Sequence, residues 1–185
     1  FRSEGSADFM NTGLIYVPPG QNLQIIAAQF VNDGEVKGHG TIDVTASLFL
    51  NNGAVSPGSS PGILTINGNY TQTATGVLNI ELAGPTPGTQ YDQLIVSGTA
   101  TLAGSLNLIL LNGFVPGPND GIQILNAGSI VGNFASIAGL PPGVTFSVTG
   151  GFGQAVQPPI PGTAVLGSTP VGVVYLGVAS VEPSV

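Results

Sequence analysis

Two near-copies of one short phrase lie nineteen residues apart, Asn32-Asp33-Gly34-Glu35-Val36 and Asn51-Asn52-Gly53-Ala54-Val55. Each joins a tight turn to the start of a strand inside a run of β-favouring residues. A turn-and-strand unit returning at about the length of one solenoid coil predicts a chain wound into stacked rungs. Two further echoes, Gly76-Val77-Leu78-Asn79-Ile80 and Gly104-Ser105-Leu106-Asn107-Leu108, extend the pattern. Successive marker glycines are nineteen, twenty-three and twenty-eight residues apart, as expected if loops of variable length leave the rungs.

Helix signals are nearly absent, because Gly or Pro interrupts almost every ten-residue window and no long i, i+3, i+4, i+7 apolar stripe survives. Strands are predicted at Leu23–Ile26, Thr41–Val44, Ser47–Leu50, Ile63–Ile66, Gly76–Leu82, Gln93–Val96, Ser105–Leu111, Gly121–Leu125 and Val144–Val148. Several alternate with period two: Leu78, Ile80 and Leu82 point inward with Asn79 and Glu81 outward, and Leu102, Gly104, Leu106, Leu108 and Leu110 do the same. Three stretches differ in character. Residues 1–29 hold much of the scarce charge and read as an arm or cap. Residues 30–140 carry the repeating strands. Residues 141–185 form a Pro/Gly-rich connector followed by a terminal β-strand.

Charge limits what such a surface can do. Only 6% of the 185 residues are charged, against roughly 25% in an average soluble domain, so Ser, Thr, Asn, Gln and Gly must cover the exterior. Arg2 and Lys37 are the only strong cations in a chain of net charge −7. Phosphate neutralisation needs several cations on one face, which argues against nucleic acid and against docking to an anionic membrane. No run of about 18 apolar residues is present, so no membrane insertion is expected. Cysteine is absent, which removes disulfides, thiolate metal sites and Cys nucleophiles. The start at Phe1 reads either as a terminus left after signal-peptide removal or as a fragment boundary.

The stretch Ser56-Pro57-Gly58-Ser59-Ser60-Pro61-Gly62-Ile63-Leu64-Thr65-Ile66-Asn67-Gly68-Asn69-Tyr70-Thr71-Gln72 resembles the late-passenger segment of autotransporter-type β-helix proteins. Those show a Ser-Pro-Gly-x-Ser-Pro-Gly turn, an apolar Thr-bearing strand, and then Gly-Asn-Tyr-Thr-Gln. Gly76–Leu82, Tyr91-Asp92-Gln93-Leu94, Gly98–Leu111 and Gly121–Phe134 resemble the rungs that follow, so the likeness covers roughly residues 50–146. It implies a right-handed parallel β-helix, or its capping region, displayed outside the cell. The last forty residues depart from that family's ending and no outer-membrane barrel follows. Val181-Glu182-Pro183-Ser184 only faintly resembles a Pro-Glu-Pro sorting motif. The expected fold is therefore all-β, a short right-handed parallel β-solenoid with an N-terminal arm and an extended C-terminal strand; a jelly-roll-type β-sandwich is the alternative.

Candidate sites are few. His39, between glycines, has Asp33, Glu35 and Asp43 close in sequence, but no Gly-x-Ser-x-Gly elbow accompanies it and it reads as a turn residue. The same three carboxylates match neither an EF-hand nor a calcium-binding nonapeptide, so no metal is expected. Asp120 reads as a turn residue. Asn69-Tyr70-Thr71 fits a glycosylation sequon. Polysaccharide cleavage needs paired carboxylates or a basic group in a cleft, and two cations with no Trp argue against it. No catalytic residue and no cofactor are expected. The strand Val171, Val173, Val174, Tyr175, Leu176 and Val178 is β-prone and uncharged; it either folds back along the solenoid or is donated to a neighbouring subunit.

The expected function is that of a secreted, non-enzymatic structural protein, extracellular or on the cell surface. Its partners would be copies of itself, in a filament, pilus-like fibre or surface layer. The alternative is an adhesion module, part of a larger surface protein that binds a host or matrix ligand.

Overall fold

In the computed structural model, residues 7–117, 120–139, 146–149 and 172–178 are described. Three short strands make one coil, and each coil stacks on the one before in parallel register. The first coil is β1 (Phe9–Asn11), β2 (Leu14–Val17) and β3 (Asn22–Gln24); the second is β4 (Gln29–Asn32), β5 (Glu35–Gly38) and β6 (Thr41–Asp43). The third is β7 (Leu48–Asn51), β8 (Ala54–Pro57) and β9 (Ile63–Asn67). The fourth opens with β10 (Tyr70–Gln72) and β11 (Val77–Leu82) and closes with the first half of β12 (Gln93–Leu102). The second half of β12 opens the fifth coil, which continues through β13 (Ser105–Leu110) into β14 (Ile122–Gly132). The end of β14 and β15 (Ser136–Ala138) begin a sixth.

Three faces result. Face A runs β1, β4, β7, β10 and the second halves of β12 and β14. Face B is the six-stranded sheet from β2 to β15. Face C runs β3, β6, β9 and the first halves of β12 and β14. Faces A and C share β12 and β14, whose bend falls at the register shift between Val96 and Thr99. Parallel pairing from coil to coil rules out the jelly-roll alternative, whose sheets are antiparallel. The structure is an all-β, solenoid-like stack, and no helix occurs among the described residues.

Face C continues differently. β17 (Gly172–Val178) lies antiparallel on the first half of β14, and β16 (Phe146–Thr149) lies antiparallel on β17. A crossover into the coil's parallel sense stops there, and an antiparallel pair covers that edge.

Period-two alternation builds the interior. Leu78, Ile80 and Leu82 are fully buried while Asn79 and Glu81 face outward. Residues in register form columns: Val36, Val55, Leu78 and Leu106 on face B, and Ile42, Ile66 and Val96 on face C. On face A an aromatic column runs Phe9–Phe30–Phe49–Tyr70, with ring centroids 5.6, 4.5 and 5.3 Å apart. Offset and edge-on ring packing adds to the burial of each ring.

The repeated phrase now has a physical cause. At the bend from face A to face B the carbonyls turn away from the ladder, and a buried amide satisfies them. Asn32 Nδ2 donates to Ala54 O (2.9 Å) and to Asn51 Oδ1 (2.7 Å), while Asn32 Oδ1 accepts from Asn11 Nδ2 (2.7 Å). The glycine two residues later is a close approach: a Cβ on Gly34 would meet Gly13 O at 2.1 Å, and one on Gly53 would meet Gly34 O at 2.2 Å. Asn11-Thr12-Gly13 is thus a further copy of the phrase. The stretch expected as an arm or cap over residues 1–29 contains the first coil, β1–β3. In the fourth coil the connection is longer, and Gln72 takes the amide's place, donating to Ala103 O (2.7 Å) and Ser105 O (3.1 Å). Tyr70 joins the two columns, since its hydroxyl accepts from Asn51 Nδ2 (3.2 Å) and donates to Gln72 Oε1 (2.9 Å). Burial holds the Tyr70 phenol far above its usual range.

Candidate functional site

The bend from face B to face C carries the Ser-Pro-Gly-Ser-Ser-Pro-Gly turn, and polar side chains hold it from both sides. From the coil below, His39 Nε2 accepts from Ser59 N (2.8 Å), and from two coils below Tyr16 Oη accepts from Ser59 Oγ (2.9 Å). From the coil above, Asp92 Oδ1 accepts from Gly62 N (2.7 Å) and Oδ2 accepts from Glu81 N (2.8 Å). Gly62 is required here, because a Cβ would lie 2.1 Å from the His39 ring. Asp92 is 1% exposed. Loss of hydration pushes its carboxyl up to about 7, reinforced by the neighbouring Glu81 charge, and this outweighs its two N–H partners and the charge of Lys37.

Asp92 also borders a cleft of about 130 Å³ on the outer side of face B. The row Lys37–Ser56 is set by strand register, and Asn79 continues it one strand further. Glu35 comes from β5, Pro57 from β8, Glu81 from β11 and Ile109 from β13. Ser56 Oγ donates to Glu35 Oε1 (2.8 Å) and accepts from Asn79 Nδ2 (3.0 Å), and Asn107 Nδ2 donates to Asn79 Oδ1 (2.9 Å). This chain fixes one wall. Glu81 Oε2 is buried and has no hydrogen-bond partner.

The other sequence candidates are scattered by the same geometry. Asp33 sits at an A–B bend and accepts from Asn52 Nδ2 (2.8 Å). Asp43 ends β6 on face C and accepts from Thr45 N (3.1 Å) and Thr45 Oγ1 (2.7 Å), which holds its carboxyl below the usual range. Asp33, Glu35 and Asp43 therefore occupy three different parts of the coil, and no metal-holding group of His, Asp or Glu occurs among the described residues. His39 contacts the turn's backbone instead of a carboxylate. Asp120 Oδ2 accepts from Gly117 N (2.6 Å). Asn69 is exposed, and its Oδ1 accepts from Thr99 N (2.8 Å).

In the terminal strand, Val173 pairs with Asn126, Val174 with Leu125, Tyr175 with Gln123, and Leu176 with Ile122. Val178 pairs with Phe146, and Val171 lies outside the described residues. The sequence reading missed the cleft. A usable signal was present: of two Lys/Arg and nine Asp/Glu, four line this one site.

No protein-family model matches the chain. Among curated proteins it is similar to the adhesin BmaC autotransporter of Brucella suis biovar 1 (strain 1330), with 34% identity over 111 residues and 58% of this chain. That stretch is 3% of the length of the adhesin. The chain is thus a solenoid-like stack with a distant likeness to a small part of an autotransporter adhesin.

Proposed function

We propose that the chain is a non-enzymatic, coil-stacked segment of a secreted, surface-displayed protein with an adhesive role. The likeness to an autotransporter adhesin carries this reading. Sequence chemistry supports it: the outer rows are Asn, Thr, Ser and Gln with few charges, suited to close contact outside the cell. The test is surface display of the full chain on a non-adherent bacterium, followed by adhesion to matrix-coated and host-cell surfaces. Adhesion above the empty-display control is expected. Its absence on every surface would remove the adhesive role.

A second reading is a filament or surface-layer subunit joined by the C-terminal strand. The observation favouring it is the antiparallel pairing of β17 on β14, because the identical strand of a second copy would fit the same register. Electron microscopy of the full chain beside a chain ending at Gln157 tests it. Fibres that vanish on truncation are the expected sign of strand exchange, and monomers from both would end that reading.

A further inference from the structure

We infer that Asn112 is a self-modification site, at which the Gly113 nitrogen displaces ammonia from the side-chain amide and water then opens the resulting succinimide to aspartate and isoaspartate. The chain contains three Asn-Gly pairs, Asn52-Gly53, Asn67-Gly68 and Asn112-Gly113. Locally they are equivalent, because each glycine lacks the Cβ that would hinder approach of its nitrogen to the asparagine Cγ. The coil stack separates them. Gly53 N donates to Asn32 O (2.8 Å), while Asn52 Nδ2 donates to Asp33 Oδ1 (2.8 Å) and Asn52 Oδ1 accepts from Thr73 Oγ1 (2.9 Å). Gly68 N donates to Ser97 Oγ (2.9 Å), and the same hydroxyl donates to Asn67 Oδ1 (2.9 Å). In both pairs the attacking nitrogen and the amide it must reach are tied to a neighbouring coil.

Asn112-Gly113 lies between β13 and β14 with neither group tied. Both residues are exposed, and a Cβ on Gly113 would meet nothing within 4 Å, so the turn has room for a five-membered ring and for water. Neither the Asn112 side-chain amide nor Gly113 N makes a hydrogen bond among the described residues. Asn112 and Gly113 have left-handed φ angles of 52° and 70°, as Asn-Gly turns favour. Among the described residues one bond crosses the turn, Phe114 N→Leu111 O (2.9 Å). Ring closure requires the Gly113 peptide to swing its nitrogen towards Cγ, which here breaks that single bond. At Asn52 and Asn67 it breaks two or more, each worth roughly fivefold in an opening equilibrium. In the reaction the Gly113 N–Cγ bond forms, the Cγ–Nδ2 bond breaks, and ammonia leaves with the Gly113 amide proton. Water added at Cγ reopens the ring to aspartate. Water added at the Asn112 main-chain carbonyl leaves the chain running through Cγ and gives isoaspartate. Either product adds a negative charge, and isoaspartate lengthens the main chain in the turn that carries Phe114, which packs against the core.

This chemistry is independent of any adhesive role. The test incubates the full chain in mildly alkaline buffer, folded and in parallel unfolded in guanidinium chloride, and follows both by peptide mass mapping. Deamidation is read as a gain of about one dalton, and isoaspartate by the methyl group that a protein isoaspartate methyltransferase adds to it. In the folded chain Asn112 should convert at least ~10-fold faster than Asn52 or Asn67, giving both aspartate and isoaspartate. In the unfolded chain the three rates should converge. Asn112→Ser should remove the fast-forming acidic species on isoelectric focusing. Equal rates at the three sites in the folded chain, or no conversion at Asn112 while the unfolded chain converts, overturns the proposal. A rate gap that persists after unfolding also overturns it, because the difference would then belong to local sequence and not to the stack.

Discussion

Replacing Gly53 by Ala and, separately, Gly13 by Ala tests the coil-stacking account most sharply. Both glycines occupy the same place in the repeated phrase, and neither has a left-handed φ, so backbone strain does not separate them. What separates them is the coil beneath. A Cβ on Gly53 would lie 2.2 Å from Gly34 O and 2.8 Å from Asp33 C, whereas one on Gly13 meets nothing within 4 Å. Carbon–oxygen contacts settle near 3.3 Å, so the third coil would have to lift by about 1 Å at that bend. Coils stacked at about 4.8 Å cannot open that far and keep the bonds Gly53 N→Asn32 O (2.8 Å) and Ala54 N→Gly34 O (2.8 Å). With overpacking at about 1–3 kcal/mol and each weakened buried hydrogen bond adding about 1 kcal/mol or more, Gly53→Ala should cost ~3–5 kcal/mol. Gly13→Ala instead stabilises by up to about 0.4–1 kcal/mol through the unfolded chain. Urea titrations of both variants measure the gap, and at about 2–4 °C per kcal/mol the Gly53 variant should melt ~6–20 °C lower. Because stacked repeats open coil by coil, amide exchange at Ala54 should accelerate in the Gly53 variant only. Stabilities within ~0.5 kcal/mol of each other would refute the close-approach explanation.

Asn32→Ala removes the centre of the amide column, leaving Asn51 Oδ1 without its 2.7 Å donor; a loss of about 2–4 kcal/mol is expected, with faster amide exchange in the flanking coils. Phe49→Ala opens the fully buried aromatic column between Phe30 and Tyr70 and should cost about 3–5 kcal/mol by denaturant unfolding, with Phe49→Leu much milder. The pH dependence has a definite sign. Asp92 rises from 3.8 to about 7 on folding, so the folded chain holds a proton that the unfolded chain releases between those values. Asp92 therefore contributes stability that is present below about pH 4 and lost as pH rises to about 7, with a slope of at most ~1.4 kcal/mol per pH unit. Urea midpoints measured at pH 5 and pH 8 should differ in that direction, and the difference should shrink in Asp92→Ala; an unchanged difference would assign the effect to other carboxylates.

The Asp92 bonds also show where sequence reading stops. Its neighbours along the chain, Tyr91 and Gln93, say nothing of Gly62, thirty residues earlier. The strand pattern was open to direct reading where alternation was strong, as in β11 and β13. It was not at β1, β2, β10 and β15, which are three or four residues long and carry no measurable period; the equally short β3, β6 and β7 were legible from their β-favouring residues. His39 looked isolated in sequence, and its partner, the turn amide of Ser59, lies one coil away.

By itself the sequence determined the all-β character, the coil-length repeat and the sparsely charged surface. Those follow from alternation, turn residues and composition, which act over a few neighbouring positions. It also placed Asn and Gly at the bends without giving their reason. Tertiary structure alone decided that reason, since only stacking turns Asn11, Asn32 and Asn51 into one hydrogen-bonded column and makes Gly34 and Gly53 contacts with the coil before each. Only stacking brings Lys37, Ser56, Asn79, Glu81 and Asp92 to one cleft, and only it chooses β14 as the partner of β17. Residues twenty to thirty positions apart become neighbours because the coils repeat every ~4.8 Å along the stack, a distance set by backbone hydrogen bonding and invisible to any local pattern.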